Sequence, residues 1–377
     1  MHPQSETENN IPGAVITGAT GFLGSSLAAS ILMAGGSVVA LTRDDSTRDD
    51  QHGRTVKAIQ AAAAGFELQL PEGFEDRLFV IETSLEDLSE LGACQSLLKT
   101  FTFWHCAADM RYGYANIEES LNVNLIKTSE LYQYFTTVEN CQRFYYVSTA
   151  YTVGFNISIA EEALHLSPKL INAYQTSKWS AEMSLALSTQ QHILPVTLFR
   201  PSIICGHARS GWTGNRKFGL YGVLSAISFA TRLKSRSLTL AIETLSQPNY
   251  IPIDEVIKLA MILQSSDKAR TQLEVVHATA MDSLMSSQVR NIINELWGMV
   301  IQFGVPEDRY SQRINRSIEP NLPFLNHVWD FSQTYIVGQL DQTYTPFTMT
   351  EDIMRNIIGK FYTPGESAEG SEVIKFG

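Results

Sequence analysis

"GAVITGATGFLG", residues 13–24, decides the fold. "GAVIT" (13–17) is a short apolar strand candidate, and "GFLGSSLAASILMAGG" (21–36) reads as a helix. Three glycines, Gly18, Gly21 and Gly24, sit in the turn between them. A strand–turn–helix context is what a glycine triplet needs to cradle a pyrophosphate. Gly18 allows the tight turn, Gly21 admits the phosphate to the backbone, and Gly24 lets helix and strand pack closely. The first N–H groups of the helix then face the phosphates. The loop predicts a dinucleotide site built from Gly18, Thr20, Gly21, Phe22, Leu23 and Gly24.

Working outward, strand and helix patterns alternate. Strands are expected at "SVVALT" (37–42), "RLFVIE" (77–82), "FTFWHCA" (101–107), "RFYYVST" (143–149) and "PVTLFR" (195–200). Helices are expected near 55–65, over 116–137 and over 172–190. Such alternation implies right-handed βαβ units and a parallel sheet covered on both faces. The expected fold is a doubly wound α/β domain of Rossmann type. "NYIPIDEVIKLAMIL" (249–263) and "LEVVHA" (273–278) suggest a return to the sheet. The division expected is 11–206 plus 248–280 for the nucleotide domain. Residues 207–247 plus 281–363 then form a smaller, mostly helical substrate lobe, with flexible tails at 1–10 and 364–377.

The second strand ends "ALTRDD". An acid at this point would hold a ribose 2′-hydroxyl. Thr42 and Arg43 come first instead, and a guanidinium pairs with a 2′-phosphate. Arg43 therefore points to NADPH, with Arg54 as a second clamp and Asp44 and Asp45 as counter-indications.

The chain has 377 residues, 44% hydrophobic and 18% charged, so it can bury a sizeable core. A net charge of −11 argues against a general nucleic-acid surface and against broad attraction to anionic lipid. "MHPQSETENN" lacks the apolar centre of a secretory signal. No apolar run reaches the roughly 18 residues of a membrane span. Cys94, Cys106, Cys141 and Cys205 show no CxxC spacing, which suits a reducing cytoplasm. The eight histidines have no metal-ligand spacing, so no metal is expected.

"NAYQTSKWSAE" (172–182) places Tyr174 and Lys178 four apart. They share one helical face. An ammonium beside a phenol favours the phenolate, and the pair can serve as a general acid/base.

With the glycine loop, "YVSTAYTVG" (146–154), Tyr174-x-x-x-Lys178 and "FRPSIICG" (199–206) in order, the chain resembles the extended short-chain dehydrogenase/reductase superfamily. It is most similar to the branch of thioester reductase domains, carboxylic acid reductase termini and fatty acyl-CoA reductases. "YQTSKWSAE" looks like that branch's Tyr-x-x-Ser-Lys-Trp-x-Ala-Glu. "HCAAD" (105–109), "NVNLIKTSEL" (122–131), "RPSIICGHARSG" and "NYIPIDEV" also match branch patterns. The resemblance covers about residues 12–300. It implies a catalytic triad of Thr149, Tyr174 and Lys178, with Tyr174 as proton donor and Lys178 on the nicotinamide ribose. It also implies cofactor contacts from Ser84, Leu85, Ala107, Asn124, Pro201 and Ser202. The chain departs from the family at two points: Ser84 replaces an adenine-binding Asp, and Lys127 replaces a Gly. His105, Cys106 and Cys205 are expected to be structural.

The resemblance implies an NADPH-dependent reductase of an acyl thioester, borne by a carrier protein or coenzyme A. A ketone, aldehyde or alcohol oxidoreductase acting on a small metabolite is the alternative, and a non-catalytic nucleotide sensor a third class. The basic residues Arg209, Arg216, Lys217, Arg232, Lys234 and Arg236 are candidates for docking an acidic carrier. Segment 207–222, with Trp212 and Phe218 among glycines, is expected to gate the site.

Overall fold

The computed structural model describes residues 11–43, 50–85, 87–214, 219–232, 237–266 and 270–361. Its strands are β1 (Gly13–Thr17), β2 (Val38–Thr42), β3 (Leu78–Glu82), β4 (Phe101–His105), β5 (Cys141–Val147), β6 (Val196–Pro201), β7 (Ile203–Cys205), β8 (Ser237–Leu240), β9 (Tyr250–Pro252), β10 (Leu273–Ala278) and β11 (Val300–Phe303). Its helices are α1 (Phe22–Met33), α2 (Gln51–Gly65), α3 (Gly92–Leu97), α4 (Ile117–Leu121), α5 (Lys127–Phe135), α6 (Ala173–Ser188), α7 (Leu220–Arg232), α8 (Ile253–Ser265), α9 (Ser286–Trp297), α10 (Arg309–Ile318), α11 (Leu322–Leu325) and α12 (Glu351–Phe361).

Seven parallel strands form the main sheet in the order β10-β6-β5-β4-β1-β2-β3. A parallel sheet must be covered on both faces, so its strands are near-continuous apolar runs. All five residues of β1 are buried. Val15, Phe103, Phe144 and Leu198 pack with residues of α3, α5 and α6. Ile16, Ala40, Trp104 and Phe199 pack on the other face with residues of α1, α2 and α8. Each such side chain contributes about 1.5–3 kcal/mol by leaving water.

The strand order reverses between β1 and β4, and an open α/β sheet holds its ligand beyond the strand ends at such a switch point. The glycine loop follows β1 there, and His105–Ala107 follow β4. Helix α1 has no side-chain cap and no acid in its first turn. Its leading N–H groups are therefore available to an anion.

Several expected elements change form. The helix expected over 116–137 is α4 and α5 joined by a π-helical turn, Asn122–Ile126. That turn holds Asn124, which is 1% exposed, and such turns recur at functional sites. "NYIPIDEVIKLAMIL" does not rejoin the main sheet. Tyr250–Pro252 pairs with Ile203–Cys205 in a separate two-stranded sheet, and the rest is α8. Beyond Pro201 the chain leaves the ladder, and Ser202 N–H bonds to Ala278 O as its last link.

A second core gathers residues of α7, α9, α10 and α12 around the parallel pair β8–β11. Ile336, Leu340 and Tyr344, from the stretch expected wholly in the smaller lobe, pack instead with α1 and α8. Their apolar side chains return to the larger core because α8 presents an apolar face there.

A buried ion pair fixes α6 against β6. Arg200 Nε donates to Glu182 Oε1 at 2.8 Å and its Nη2 to Oε2 at 2.7 Å, with both side chains fully buried. Thr152 Oγ1 also donates to Glu182, and Arg200 Nη1 donates to Ala163 O. Glu182→Gln leaves the guanidinium uncompensated and should cost about 3–5 kcal/mol. Urea denaturation should show a lower midpoint at an unchanged slope; an unshifted midpoint would contradict this account.

Candidate active site

The glycine loop is shaped by close approaches. Gly18 has φ +69°, and a Cβ there would lie 2.9 Å from Ala107 N. A Cβ on Gly24 would lie 2.3 Å from Gly18 O. These two positions admit only glycine, which leaves a tight cradle at the start of α1. Thr17 Oγ1 accepts from Ala107 N at 3.2 Å and lies 2.7 Å from His105 Nδ1. The Thr17 hydroxyl thus bonds both the chain after β4 and the imidazole at its end. Burial lowers the His105 pKa to about 3, and the charge of Lys178 adds to this. His105 is thus a neutral strut between β1 and β4.

Helix α6 starts at Asn172, whose side chain accepts from Gln175 N at 2.7 Å. Tyr174 lies half-buried in its first turn, and Lys178 follows at 1% exposure. Lys178 Nζ donates to Val147 O at 2.7 Å and stands 4.4 Å over the Tyr146 ring. Thr149, two residues beyond Val147, has Oγ1 3.5 Å from Pro201 O. The helix is therefore anchored by its lysine to the end of β5, where the turn bearing Thr149 begins. Burial brings Lys178 down to about 7, opposed by Glu182 and by Cys106. The Cys106 thiol is itself pushed up to about 12 by burial. It is uncharged at neutral pH, so only Glu182 supports the ammonium there.

The chain after β4 is tied down by Asn124. Its Oδ1 accepts from Asp109 N, and its Nδ2 donates to Asp109 O and to Ser177 Oγ. Asp109 accepts from Ser120 Oγ at 2.6 Å and from Arg111 Nε at 2.9 Å. Ser202, another expected cofactor contact, donates its hydroxyl to Asn249 Oδ1 at 2.7 Å. Asn124 and Ser202 thus spend their side chains on protein partners. Arg43 is exposed just past β2, and Arg54 Nη1 donates to Gln51 Oε1 at 2.6 Å in the first turn of α2. Asp44 and Asp45 lie outside the described residues. Past β3, Ser84 is exposed and Leu85 has φ +61°. A bulky residue in the left-handed region is an outlier that residue type gives no hint of.

Residues 207–214 form an anchored bridge. Ala208 N donates to Asp254 Oδ1, and Asn356 Nδ2 donates to the carbonyls of Ala208 and Arg209. Arg209 pairs with Glu67. Trp212 lies against the nucleotide-binding half, its ring 5.0 Å from Phe22 and 6.1 Å from Phe66. The described part of the expected gate therefore joins α2, α8 and α12. Arg216, Lys217, Phe218, Lys234 and Arg236 lie outside the described residues, as does the side chain of Arg232.

Two features of the site escaped sequence reasoning. One is the Glu182–Arg200 pair. The other is an open cleft of about 340 Å³ between Met110–Gly113 and Asn116 on one side and Gly219, Pro320 and Asn321 on the other. It adjoins Tyr174 through Tyr112, whose ring centroid is 6.1 Å from that of Tyr174.

Residues 16–260 match the family described as male sterility protein. The chain belongs to this family. It is an extended short-chain dehydrogenase/reductase and a nicotinamide-dependent enzyme. The fold is shared with the terminal R domain from the myxalamid PKS-NRPS biosynthetic pathway, at TM-score 0.73 and 17% identity over 95% of this chain and 91% of that one. A thiolation-reductase di-domain from an archaeal non-ribosomal peptide synthetase aligns at TM-score 0.68 and 17% identity, covering 92% of this chain and 74% of that one. UDP-glucuronic acid 4-epimerase from Bacillus cereus in complex with NAD aligns at TM-score 0.64 and 16% identity, covering 93% and 100%. No curated protein matches the chain. Among the described residues, no helix is long and apolar enough to cross a membrane, and no group of three or more His, Cys, Asp or Glu could hold a metal ion.

The burial of Lys178 has a measurable signature. Its folded pKa of about 7 lies below the unfolded value. Between the two, the unfolded chain binds more protons, so stability rises with pH over that window. In the cofactor-free enzyme, the stability of wild type relative to Lys178→Met should therefore climb from about pH 7 to about pH 10. Urea unfolding at several pH values reads this directly; a flat difference would mean the lysine is not depressed.

Proposed function

We propose that the protein is an NADPH-dependent reductase that converts an acyl thioester to an aldehyde or alcohol. The observation that carries this reading is buried Lys178 bonded to the end of β5, two residues before Thr149, with Tyr174 one helical turn before the lysine and next to the cleft-lining Tyr112. The terminal R domain and the thiolation-reductase di-domain, which share the fold, support it.

The residues fit a dinucleotide. The loop Gly18, Thr20, Gly21, Phe22, Leu23 and Gly24 would hold the pyrophosphate at the uncapped start of α1. Arg43, with Arg54 nearby, would meet the 2′-phosphate, and Ser84 and Leu85 would lie along the adenine. Ala107, Pro201 and the backbone at Ser202 would border the nicotinamide, with Asn124 setting the loop after β4. When bound, NADPH supplies the hydride. Tyr174 protonates the carbonyl oxygen, Thr149 donates a second hydrogen bond to it, and Lys178 stabilises the phenolate left behind. The hemithioacetal so formed expels a thiol and leaves the aldehyde. The sheet with its helices, α8 included, would serve the cofactor, and the lobe of α7 and α9–α12 would serve the substrate.

One observation favours a second reading, reduction or oxidation of a free carbonyl or alcohol. The net charge of −11 would repel an acidic carrier protein.

A panel of acyl-CoA, acyl-pantetheine, aldehyde and ketone substrates, followed by NADPH absorbance, separates the two. Thioester turnover is expected; turnover of carbonyl compounds alone would overturn the thioester reading. Tyr174→Phe should lower turnover about 10²–10⁴-fold with cofactor binding intact. Arg43→Ala should weaken NADPH binding far more than NADH binding, and equal wild-type affinity for both would exclude the assigned preference.

A further inference from the structure

The cleft beside Tyr174 has walls from two separate parts of the chain. Met110, Tyr112, Gly113 and Asn116 come from the segment after β4, while Gly219 and Pro320 precede α7 and α11. Its volume of about 340 Å³ falls within the roughly 300–1,000 Å³ of small-molecule sites.

Tyr112 joins this cleft to the proton donor. Its carbonyl accepts from Ala173 N, the first residue of α6, at 3.0 Å. That bond seats its ring between Tyr174, at 6.1 Å, and Phe324, at 6.0 Å. Tyr114, two residues on, reaches Thr176 on the same helix. The segment is held from behind by Asp109, Ser120 and Asn124. The tyrosine wall is thus a fixed surface.

The chemistry of the lining is uncharged apart from Arg111, and Arg111 is held by Asp109 through Nε at 2.9 and 3.1 Å. The rest is a thioether, a phenol, a proline ring, two asparagine amides and two glycines. Beside that one neutralised guanidinium, such walls accept an uncharged chain.

We propose that this cleft is the subsite for the acyl chain of the substrate and that Tyr112 sets the length and bulk it admits. The inference rests on the reading of Tyr174 as proton donor, because that places the reacting carbonyl next to Tyr112.

Two substitutions change the cleft in opposite senses. Tyr112→Ala removes a wall. Gly113→Val adds one: Gly113 has φ −64° and ψ 131°, ordinary extended backbone, and a Cβ there meets only Asn116 Nδ2, at 3.4 Å. The test is calorimetric binding of butyryl-, octanoyl- and dodecanoyl-pantetheine to the NADP⁺-loaded enzyme. Tyr112→Ala should shift the Kd ratio toward the dodecanoyl ligand by about 10-fold or more. Gly113→Val should shift it toward the butyryl ligand. Opposite shifts are a signature that general loosening of the fold does not produce. If Tyr112→Ala fails to fold, Gly113→Val still reads the site from the other direction. Absence of binding to wild type, or an unchanged ratio in the folded variants, overturns the inference. Tyr174→Phe removes a contact common to all three ligands and should leave their Kd ratio in place, so a failure of the proton-donor reading shows in turnover and not in that ratio.

Discussion

The Glu182–Arg200 pair is the constraint on which the rest of the site depends. It joins the middle of α6 to the end of strand β6 with both groups out of water. A buried ion pair contributes little net stability, because desolvation offsets most of the Coulomb gain. What it does supply is register. A bidentate guanidinium–carboxylate contact is directional, and it allows α6 one rotation and one height over the sheet. Tyr174 lies two turns before Glu182 and Lys178 one turn before it on the same helix. Pro201 adjoins Arg200. The pair thus sets both sides of the catalytic floor at once.

The same burial that fixes the geometry changes the chemistry. Lys178 reaches Val147 O because α6 is pressed close to the sheet, and the closeness excludes the water that would solvate an ammonium. Its pKa falls to about 7 for that reason. Glu182 opposes the fall, yet its charge is shared with Arg200 and Thr152. The ion pair therefore acts on position and on electrostatics, leaving Lys178 poised between its two states near neutral pH.

Much of this was legible in the sequence because the informative signals are local. The glycine spacing in 17–24, the alternation of apolar runs and the four-residue offset of Tyr174 and Lys178 each depend on neighbours in the chain. They gave the parallel sheet, the loop and the helix bearing the pair. What stayed hidden depends on long-range contacts. Glu182 and Arg200 are ordinary residues until the fold joins them across 18 positions. The π-helical turn at Asn122–Ile126 has no signature of its own, and it exists because Asn124 is drawn inward by Asp109 and Ser177. "NYIPIDEV" looked like a main-sheet strand since its apolar run is the same in either place; only pairing with Ile203–Cys205 separates the two. Trp212 was expected among loop glycines over the site, yet the apolar surface of Phe22 and Phe66 captures it.

That capture bears on how the two halves of the molecule relate. Phe22 begins α1 directly after the glycine loop, so Trp212 rests on the cofactor side of the fold. The bridge that carries it is bonded to α8 through Asp254 and to α12 through Asn356. A segment held at three points ties the lobe to the sheet. The cleft, by contrast, is walled by the segment after β4 and by the approaches to α7 and α11. The bridge and the cleft walls thus belong to different stretches of chain. The supports of the two stretches, Asn124 and Asp109 for the segment after β4 and Asp254 and Asn356 for the bridge, do not overlap.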